Sequence, residues 1–440
     1  MPLLRRFLLL ETLGFCLALA CTSKLRTYEQ PSPVDTATRP VRLLPETTFR
    51  TPSGVLAKAD FPGARLASFT QVPSPGPDSP LVFVAEVPAE NQPINTSPWY
   101  AMALSAPDER EVVVRLTYPV GVGNRYLPKT TPRLSGPYTY VPTSRYDTAA
   151  NANDVRLTIG PALTYLTAQE VINTDSVRRY LRGLTAERPA LRWDTIGTSA
   201  LGRPIWKLDT GADDDDRRPA TVLMSRQHPP EVTGFQAFQA FLGRVLEDDA
   251  LARRFREGFR VIAFPTVNPD GVDEGHWRHN AGGVDLNRDW GYYRQPEVRQ
   301  VVEWLQAHTK RQQVVWGMDF HSTQYDVLYT HDPAEVDFRG ADGLRAWTEA
   351  LEAFVAERYA PPYQPARTPT DYPQAIVGQD TLRIEPEGIR KPTSASWFAT
   401  HYGGVGVTYE VADEQDRGFL REKAREAAEL WMGVLLRDET

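Results

Sequence analysis

The stretch Ser225–Gly234, SRQHPPEVTG, sets a histidine and a glutamate three residues apart with two prolines between them. It follows the short apolar run Thr221–Met224 and precedes the amphipathic segment Phe235–Leu246. Pro229 and Pro230 exclude a helix across the pair and stiffen the backbone, because proline lacks an N–H and holds the residue before it away from helical angles. The stretch therefore predicts a rigid turn from a strand into a helix, presenting the imidazole of His228 beside the carboxylate of Glu231. A metal ion or an acid–base pair would use such a turn. A surface loop with two unrelated polar residues would also satisfy the pattern.

Outward from this turn, the chain after Thr167 alternates two patterns. Helical periodicity marks Ala168–Leu184, Phe235–Leu246, Val298–Ala307, Gly343–Tyr359 and Arg417–Leu436. Between them lie the apolar strands Thr221–Met224, Phe259–Phe264, Val314–Phe320 and Val405–Val411. Such alternation predicts an α/β class, an open mixed sheet flanked by helices. Ligands in open α/β sheets bind beyond the carboxyl ends of the strands. His228 and Glu231, the turn sequence Asn268–Gly271, His321 and Glu410 all fall at such ends. His228, Glu231 and His321 form a set of two imidazoles and one carboxylate, which leaves a fourth position for water as in a catalytic zinc site. His276 and His279 offer a rival pair, while His308, His331 and His401 read as surface or helix-end residues.

A second signal is Arg278–Arg288, RHNAGGVDLNR. Its glycines permit a tight backbone, and a guanidinium can grip a carboxylate through two hydrogen bonds. A structural loop whose arginines pair with local acids such as Asp289 fits the stretch equally well.

Upstream, residues 46–165 read differently. Leu81–Val87, Trp99–Leu104 and Val112–Tyr118 are β-rich, and Pro and Gly punctuate the gaps, which predicts an all-β, sandwich-like domain. Residues 22–45 read as a polar tether, and 166–440 as the catalytic domain. Arg5 and Arg6 followed by the apolar run Phe7–Ala20 describe an export signal over residues 1–21. Cys21 would be a lipid-bearing residue of a bacterial lipoprotein in the periplasm or on a membrane, although Glu11 and Ala18 suit that pattern poorly. The only cysteines, Cys16 and Cys21, lie in this segment, so any metal site must use His, Asp and Glu. A net charge of −7 argues against a general nucleic-acid binder. Asp213–Asp216 reads as a solvated hairpin tip.

The motifs together resemble the zinc carboxypeptidase family, the carboxypeptidase A-like metallopeptidases. His228-Pro-Pro-Glu231, Asn268–Gly271, Arg278 with Asn287-Arg288, His321-Ser322 and Tyr409-Glu410 come in that family's order over roughly residues 165–440. The preceding β-rich segment resembles the N-terminal domain of the cytosolic carboxypeptidase subgroup. The resemblance implies one zinc ion per chain held by His228, Glu231 and His321, with Glu410 as general base and Arg278 polarising the scissile carbonyl. It implies that Asn287 and Arg288 bind the substrate's terminal carboxylate and that Asp285 receives the second ring N–H of His228. The implied partner is a peptide with a free C-terminal carboxylate, cleaved one residue at a time by zinc-activated water. In one respect the chain departs from the family. Members such as carboxypeptidase A carry a mobile tyrosine upstream of the glutamate, and counting back from Trp397 that position falls near Gly388. This puts substrate contacts in doubt but leaves the reaction intact. Ala395, two before Trp397, argues against strict preference for a basic terminal residue, and Arg383, Arg390 or Lys391 would favour an acidic one if they lined the pocket. Two other readings are a zinc amidase or deacylase of small acylated amino acids, and a non-catalytic peptide-binding lipoprotein.

Overall fold

The computed structural model describes residues 41–438 apart from 42, 75, 77–78, 92–94, 189–190, 212–215, 310–313, 333–337, 359–381 and 388–390. The expected export signal with Cys16 and Cys21, most of the tether, Asp213–Asp215, Gly388 and Arg390 lie outside the described residues.

The N-terminal strands are β1 (Thr48–Arg50), β2 (Leu56–Lys58), β3 (Ser68–Val72), β4 (Leu81–Glu86), β5 (Ala101–Ser105) and β6 (Arg110–Thr117). They continue as β7 (Lys129–Thr131), β8 (Thr139–Tyr140), β9 (Ser144–Asp147), β10 (Ala152–Ile159) and β11 (Thr164–Thr167). They form two sheets, β1-β2-β5-β11-β7-β8 and β3-β4-β6-β10-β9. Along β6, Val112, Val114 and Leu116 are buried while their neighbours are not, the two-residue alternation of a strand with one face on a core. That core is shared with Met102 and Leu104 of the other sheet and with Phe83 and Val155. Pairing is antiparallel except between β4 and β6.

The remainder comprises β12 (Arg192–Thr198), β13 (Pro204–Asp209), β14 (Ala220–Ser225), β15 (Arg260–Phe264), β16 (Val314–Thr323), β17 (Val327–Thr330), β18 (Arg383–Pro386) and β19 (Val405–Ala412). Its helices are α1 (Thr174–Ala186), α2 (Val232–Val245), α3 (Ala250–Gly258), α4 (Pro269–Asp273), α5 (Pro296–His308), α6 (Ala341–Arg358), α7 (Ser394–Tyr402) and α8 (Arg417–Asp438). One mixed sheet runs β12-β13-β15-β14-β16-β19-β17-β18. Its centre, β15-β14-β16-β19, is parallel and buried on both faces, which is why those strands read as unbroken apolar runs. Leu223, Val261 and Met318 face a core with α1, α2, α3, α6 and α8, while Val222, Met224 and Ile262 face a second core with α5 and α7.

The connection from β14 to β15 passes through α2 and α3 on one face, and the return to β16 passes through α5 on the other. The order therefore reverses beside β14, where open α/β sheets leave a crevice at their carboxyl edge.

Three expectations need correction. The segment 168–173 is not helical, because Asn173 caps α1 by accepting from the Ser176 N–H at 3.0 Å. β13 and β14, the strands on either side of the acidic run, are not hairpin partners, since β15 lies between them in the sheet. His331 is buried, with its Nδ1 3.0 Å from the carbonyl of Glu387; it follows β17, which the sheet shelters.

Candidate active site

At Ser225 the chain leaves β14 through a strained turn: Arg226 has a φ of 58°, uncommon for any residue but glycine. The turn is held from outside. The Asn268 backbone N–H donates to the Arg226 carbonyl at 3.0 Å, and its side-chain amide donates to the Gln227 carbonyl at 3.0 Å. Asn268–Gly271 is thus not a bare turn but the start of α4, with Asn268 as its cap. Pro229 and Pro230 then deliver Glu231 to the N-cap position of α2, where its side chain makes no capping hydrogen bond. The carboxylate is left to point at the two imidazoles instead.

His321 belongs to the neighbouring strand. The sequence pattern places it just past a strand end, whereas β16 continues to Thr323 because it pairs with β19 through Thr323 and Ala412. The donor atoms of His228, Glu231 and His321 lie within 4.8 Å of one another, and all three residues are buried. His228 Nδ1 lies 2.8 Å from Glu231 Oε1, His321 Nδ1 lies 2.7 Å from Oε2, and the two Nδ1 atoms are 3.1 Å apart. Each ring is anchored by its far nitrogen. His228 Nε2 lies 3.0 Å from Asp285 Oδ1, and His321 Nε2 lies 2.7 Å from Asp319 Oδ2. A carboxylate on Nε2–H directs the Nδ1 lone pair into the site.

Burial lowers the pKa of both imidazoles, but nearby acids outweigh it: Glu231 for His228, and Asp319 with Glu231 for His321, so both are raised. Burial opposes ionisation of Glu231, yet the two imidazoles pull its pKa down. A cation at the centre must displace the ring protons, so its binding strengthens as pH rises.

Glu410 stands on β19 in register with His321. Its Oε2 is shielded from solvent and has no hydrogen-bond partner. Burial and then the charge of Glu231 push its pKa up to about 7, against the pull of His321, His228 and Arg125. A buried acceptor without a partner is rare in folded proteins and calls for an explanation.

Arg278 donates from Nε to Asp285 Oδ2 at 2.7 Å, so Asp285 bridges it to His228. Arg288 donates from Nη1 to the Asn287 carbonyl at 2.7 Å. Asn287 is buried; its Oδ1 accepts from the Ser394 N–H at 2.9 Å, and its Nδ2 lies 3.3 Å from His321 Nε2. Asp289 serves neither arginine of this stretch and pairs with Arg294. His276 and His279 do not form a second centre: His279 Nδ1 lies 2.9 Å from Asn91 Oδ1, and His276 Nδ1 lies 3.1 Å from the His279 carbonyl. Among the described residues, His228, Glu231 and His321 are the one group that could hold a metal. Arg383 lies over the Tyr325 ring at 4.2 Å, Lys391 is exposed and Ala395 is buried in α7. Tyr372, a tyrosine upstream of Gly388, lies with it outside the described residues.

Residues 177–431 match the zinc carboxypeptidase family. The chain belongs to that family. Its members are zinc metallocarboxypeptidases, which are hydrolases. Similar proteins include an uncharacterised protein of Zymomonas mobilis, 32% identical over 143 residues that make up 32% of this chain and 36% of its own length. Cytosolic carboxypeptidase 3 of Mus musculus is 31% identical over 130 residues, 29% of this chain and 12% of its own length. The chain thus spans about a third or less of these relatives. A metallo-carboxypeptidase from Burkholderia cenocepacia superposes with a TM-score of 0.65 at 17% identity, covering 88% of this chain and 99% of that one. One from Pseudomonas aeruginosa gives a TM-score of 0.63 at 18% identity, covering 87% and 99%. At such identities the likeness establishes the fold, β-rich region included.

The donor set fits the family's metal. Ligands roughly 2.0–2.1 Å from a tetrahedral ion stand about 3.3 Å apart, close to the 2.7–3.1 Å between the two Nδ1 atoms and from each to its nearer Glu231 oxygen. Two imidazoles and one carboxylate suit zinc, and each imidazole already has its outer anchor.

Three neighbours of the site escape the sequence reading. Asp319 had a signal: it lies two residues before His321, and alternate residues of a strand share a face. Glu90 and Arg125 come from the β-rich region, and no local pattern joins them to the centre.

Proposed function

We propose that this chain is a zinc-dependent carboxypeptidase that removes C-terminal amino acids from peptides. The observation that supports it most is the pairing of β16 with β19. It sets Glu410, with an unpartnered Oε2, in register with His321 of the metal-binding group. His228 and His321, through Nδ1, and Glu231, through its carboxylate, would hold the zinc. Zinc, when bound there, supplies a Lewis acid. Glu410 takes the proton of the attacking water and returns it to the leaving amine. Arg278 donates to the carbonyl oxygen as it gains negative charge, and its bond to Asp285 keeps it in place. Arg288, with the Nδ2 of Asn287, holds the free carboxylate of the terminal residue.

A charged hydrogen bond of this kind contributes about 1.5–3 kcal/mol. Arg288→Ala should therefore lower kcat/KM on a blocked dipeptide acid by roughly 10- to 150-fold. The wild type should barely act on the matching C-terminal amide. Equal rates on acid, amide and internal bonds would rule out a carboxypeptidase. Activity confined to short acylated amino acids would favour an amidase.

A further inference from the structure

Glu90 lies in the loop after β4, in the N-terminal β-rich region, and is fully buried. Its Oε1 accepts three consecutive backbone N–H groups from a distant loop: Trp277 at 3.1 Å, Arg278 at 3.0 Å and His279 at 2.8 Å. Its Oε2 accepts from Asn95 Nδ2 at 2.5 Å and lies 3.5 Å from His279 Nδ1. Successive N–H groups converging on one point form a concavity for an anion. Here a side chain from another part of the fold fills it.

The neighbours of Glu90 tighten the same grip. Asn91 Nδ2 donates to the Gly283 carbonyl at 3.4 Å, and its Oδ1 lies 2.9 Å from His279 Nδ1. Trp277 Nε1 donates to the Tyr126 hydroxyl at 3.3 Å, and the Arg125 guanidinium lies 5.7 Å from the Trp277 ring. Arg278 is the middle of the three clamped residues, and its side chain ends on Asp285, which also holds His228.

A carboxylate taken out of water is costly unless charged hydrogen bonds repay it. An apolar plug would close this interface without that cost. A charged acceptor shared by three adjacent amides does something a plug cannot: it sets the position of one short backbone segment. That segment carries the guanidinium assigned above to the developing oxyanion.

We propose that Glu90 is a positioning residue for Arg278, so that the β-rich region completes the active site of the α/β region. The inference rests on the reading of Arg278 as the group that stabilises the oxyanion. A double-mutant cycle on the full-length, zinc-loaded protein tests both. The variants are Glu90→Gln, Arg278→Ala and the two combined, with kcat, KM and zinc content measured for each. Glu90→Gln keeps the shape but removes the charge. It should lower kcat by roughly 10- to 100-fold, the scale of a misplaced catalytic group, with KM and zinc little changed. On the Arg278→Ala background it should cost nothing further, because coupled residues are not additive. Asn95→Ala, which frees one Glu90 oxygen, should show a smaller loss with the same dependence on Arg278, and it serves if Glu90→Gln does not fold. The same fold-loss in both backgrounds would overturn the inference and leave the oxyanion role standing. An Arg278→Ala protein with wild-type kcat would overturn the oxyanion role, and this inference with it.

Discussion

Glu410 and Asp319 are carboxyl groups on adjacent strands, each with one buried oxygen that has no hydrogen-bond partner, but the second oxygen of Asp319 is tied to three donors. Glu410 keeps Oε2 free of partners, and burial with the nearby charge of Glu231 lifts its pKa to about 7. A base must be ionised to take a proton, so kcat/KM should rise with pH on the acid side. Its midpoint should lie at or below about 7, because a bound dication pulls a neighbouring acid downward. Glu410→Gln should keep zinc and fold while losing about 10²–10⁴-fold in kcat, and its residual rate should lack that acid limb. A stopped assay across pH, beside metal analysis, checks this. Asp319 Oδ2 accepts from the Ser394 hydroxyl at 2.6 Å, from Gln227 Nε2 and from His321 Nε2. It is built to hold a ring still. Asp319→Asn should weaken zinc affinity by about 10- to 100-fold, read by competition with a chelator. Unchanged affinity would mean that the strand alone orients His321.

The decisive element is the start of α2. Phe235, Phe238 and Phe241 are fully buried, and Phe238 and Phe241 meet Phe320 of β16 at ring distances of 5.8 and 5.4 Å. Each such side chain contributes about 1.5–3 kcal/mol by burial. This draws the helix onto the strand that carries His321. Close approach needs a residue without a side chain: a Cβ on Gly234 would lie 2.4 Å from the His321 carbonyl oxygen. The Gly234 N–H and the Thr233 hydroxyl both donate to the Ser322 hydroxyl, each at 2.8 Å. Gly234→Ala must therefore push α2 and β16 apart. It should destabilise the protein by about 1–3 kcal/mol or more and loosen zinc, since Glu231 and His321 ride on the two parts that separate. Gly243, later in the same helix, has nothing within 4 Å of an added Cβ. Gly243→Ala should be neutral or stabilise by up to about 1 kcal/mol. Thermal melts and metal content of the pair give the comparison, and matched behaviour of the two variants would refute it.

Across the whole molecule, the two regions meet through a buried ion pair, Lys129 Nζ 2.9 Å from Glu414, and a half-buried one, Arg125 2.8 Å from Asp413. Beside them, just past the end of β11, half-buried Glu170 lies 2.8 Å from Arg417. Burial raises the pKa of Glu170, but its bond to Arg417 and the charges of Arg417 and Lys129 win, and the value falls from 4.5 to about 2. A depressed carboxylate stabilises the fold above its unfolded pKa and loses that contribution as pH falls through the folded value. The stability difference between wild type and Glu170→Gln should therefore be full above pH 4.5 and vanish as pH approaches about 2. At about 1.4 kcal/mol per pH unit it should not exceed about 3.5 kcal/mol. Denaturant titrations at stepped pH measure it. A difference that grows toward acid would mean that Glu170 carries no charge in the folded protein.

The grouping of His228, Glu231 and His321 was legible from residues alone because its constraints are local. Two prolines force a turn between an apolar run and an amphipathic one, and the turn carries His228 and Glu231. His321 and Glu410 end apolar runs of strand length. Alternating strand and helix patterns likewise imply an open sheet with its crevice at one edge. Periodicity and turn chemistry act over a few residues, so they survive without a fold. The contacts that complete the site do not. Glu90 reaches the Arg278 loop across 188 residues of chain, and Arg125 reaches Asp413 across 288. Asn287 looks free in its loop, yet its oxygen is taken by Ser394 of α7, and His331 looks exposed until β17 finds its place in the sheet. Which distant surfaces meet depends on packing and on the pairing of buried charges, and these leave no period in the sequence. Only the tertiary structure decides them.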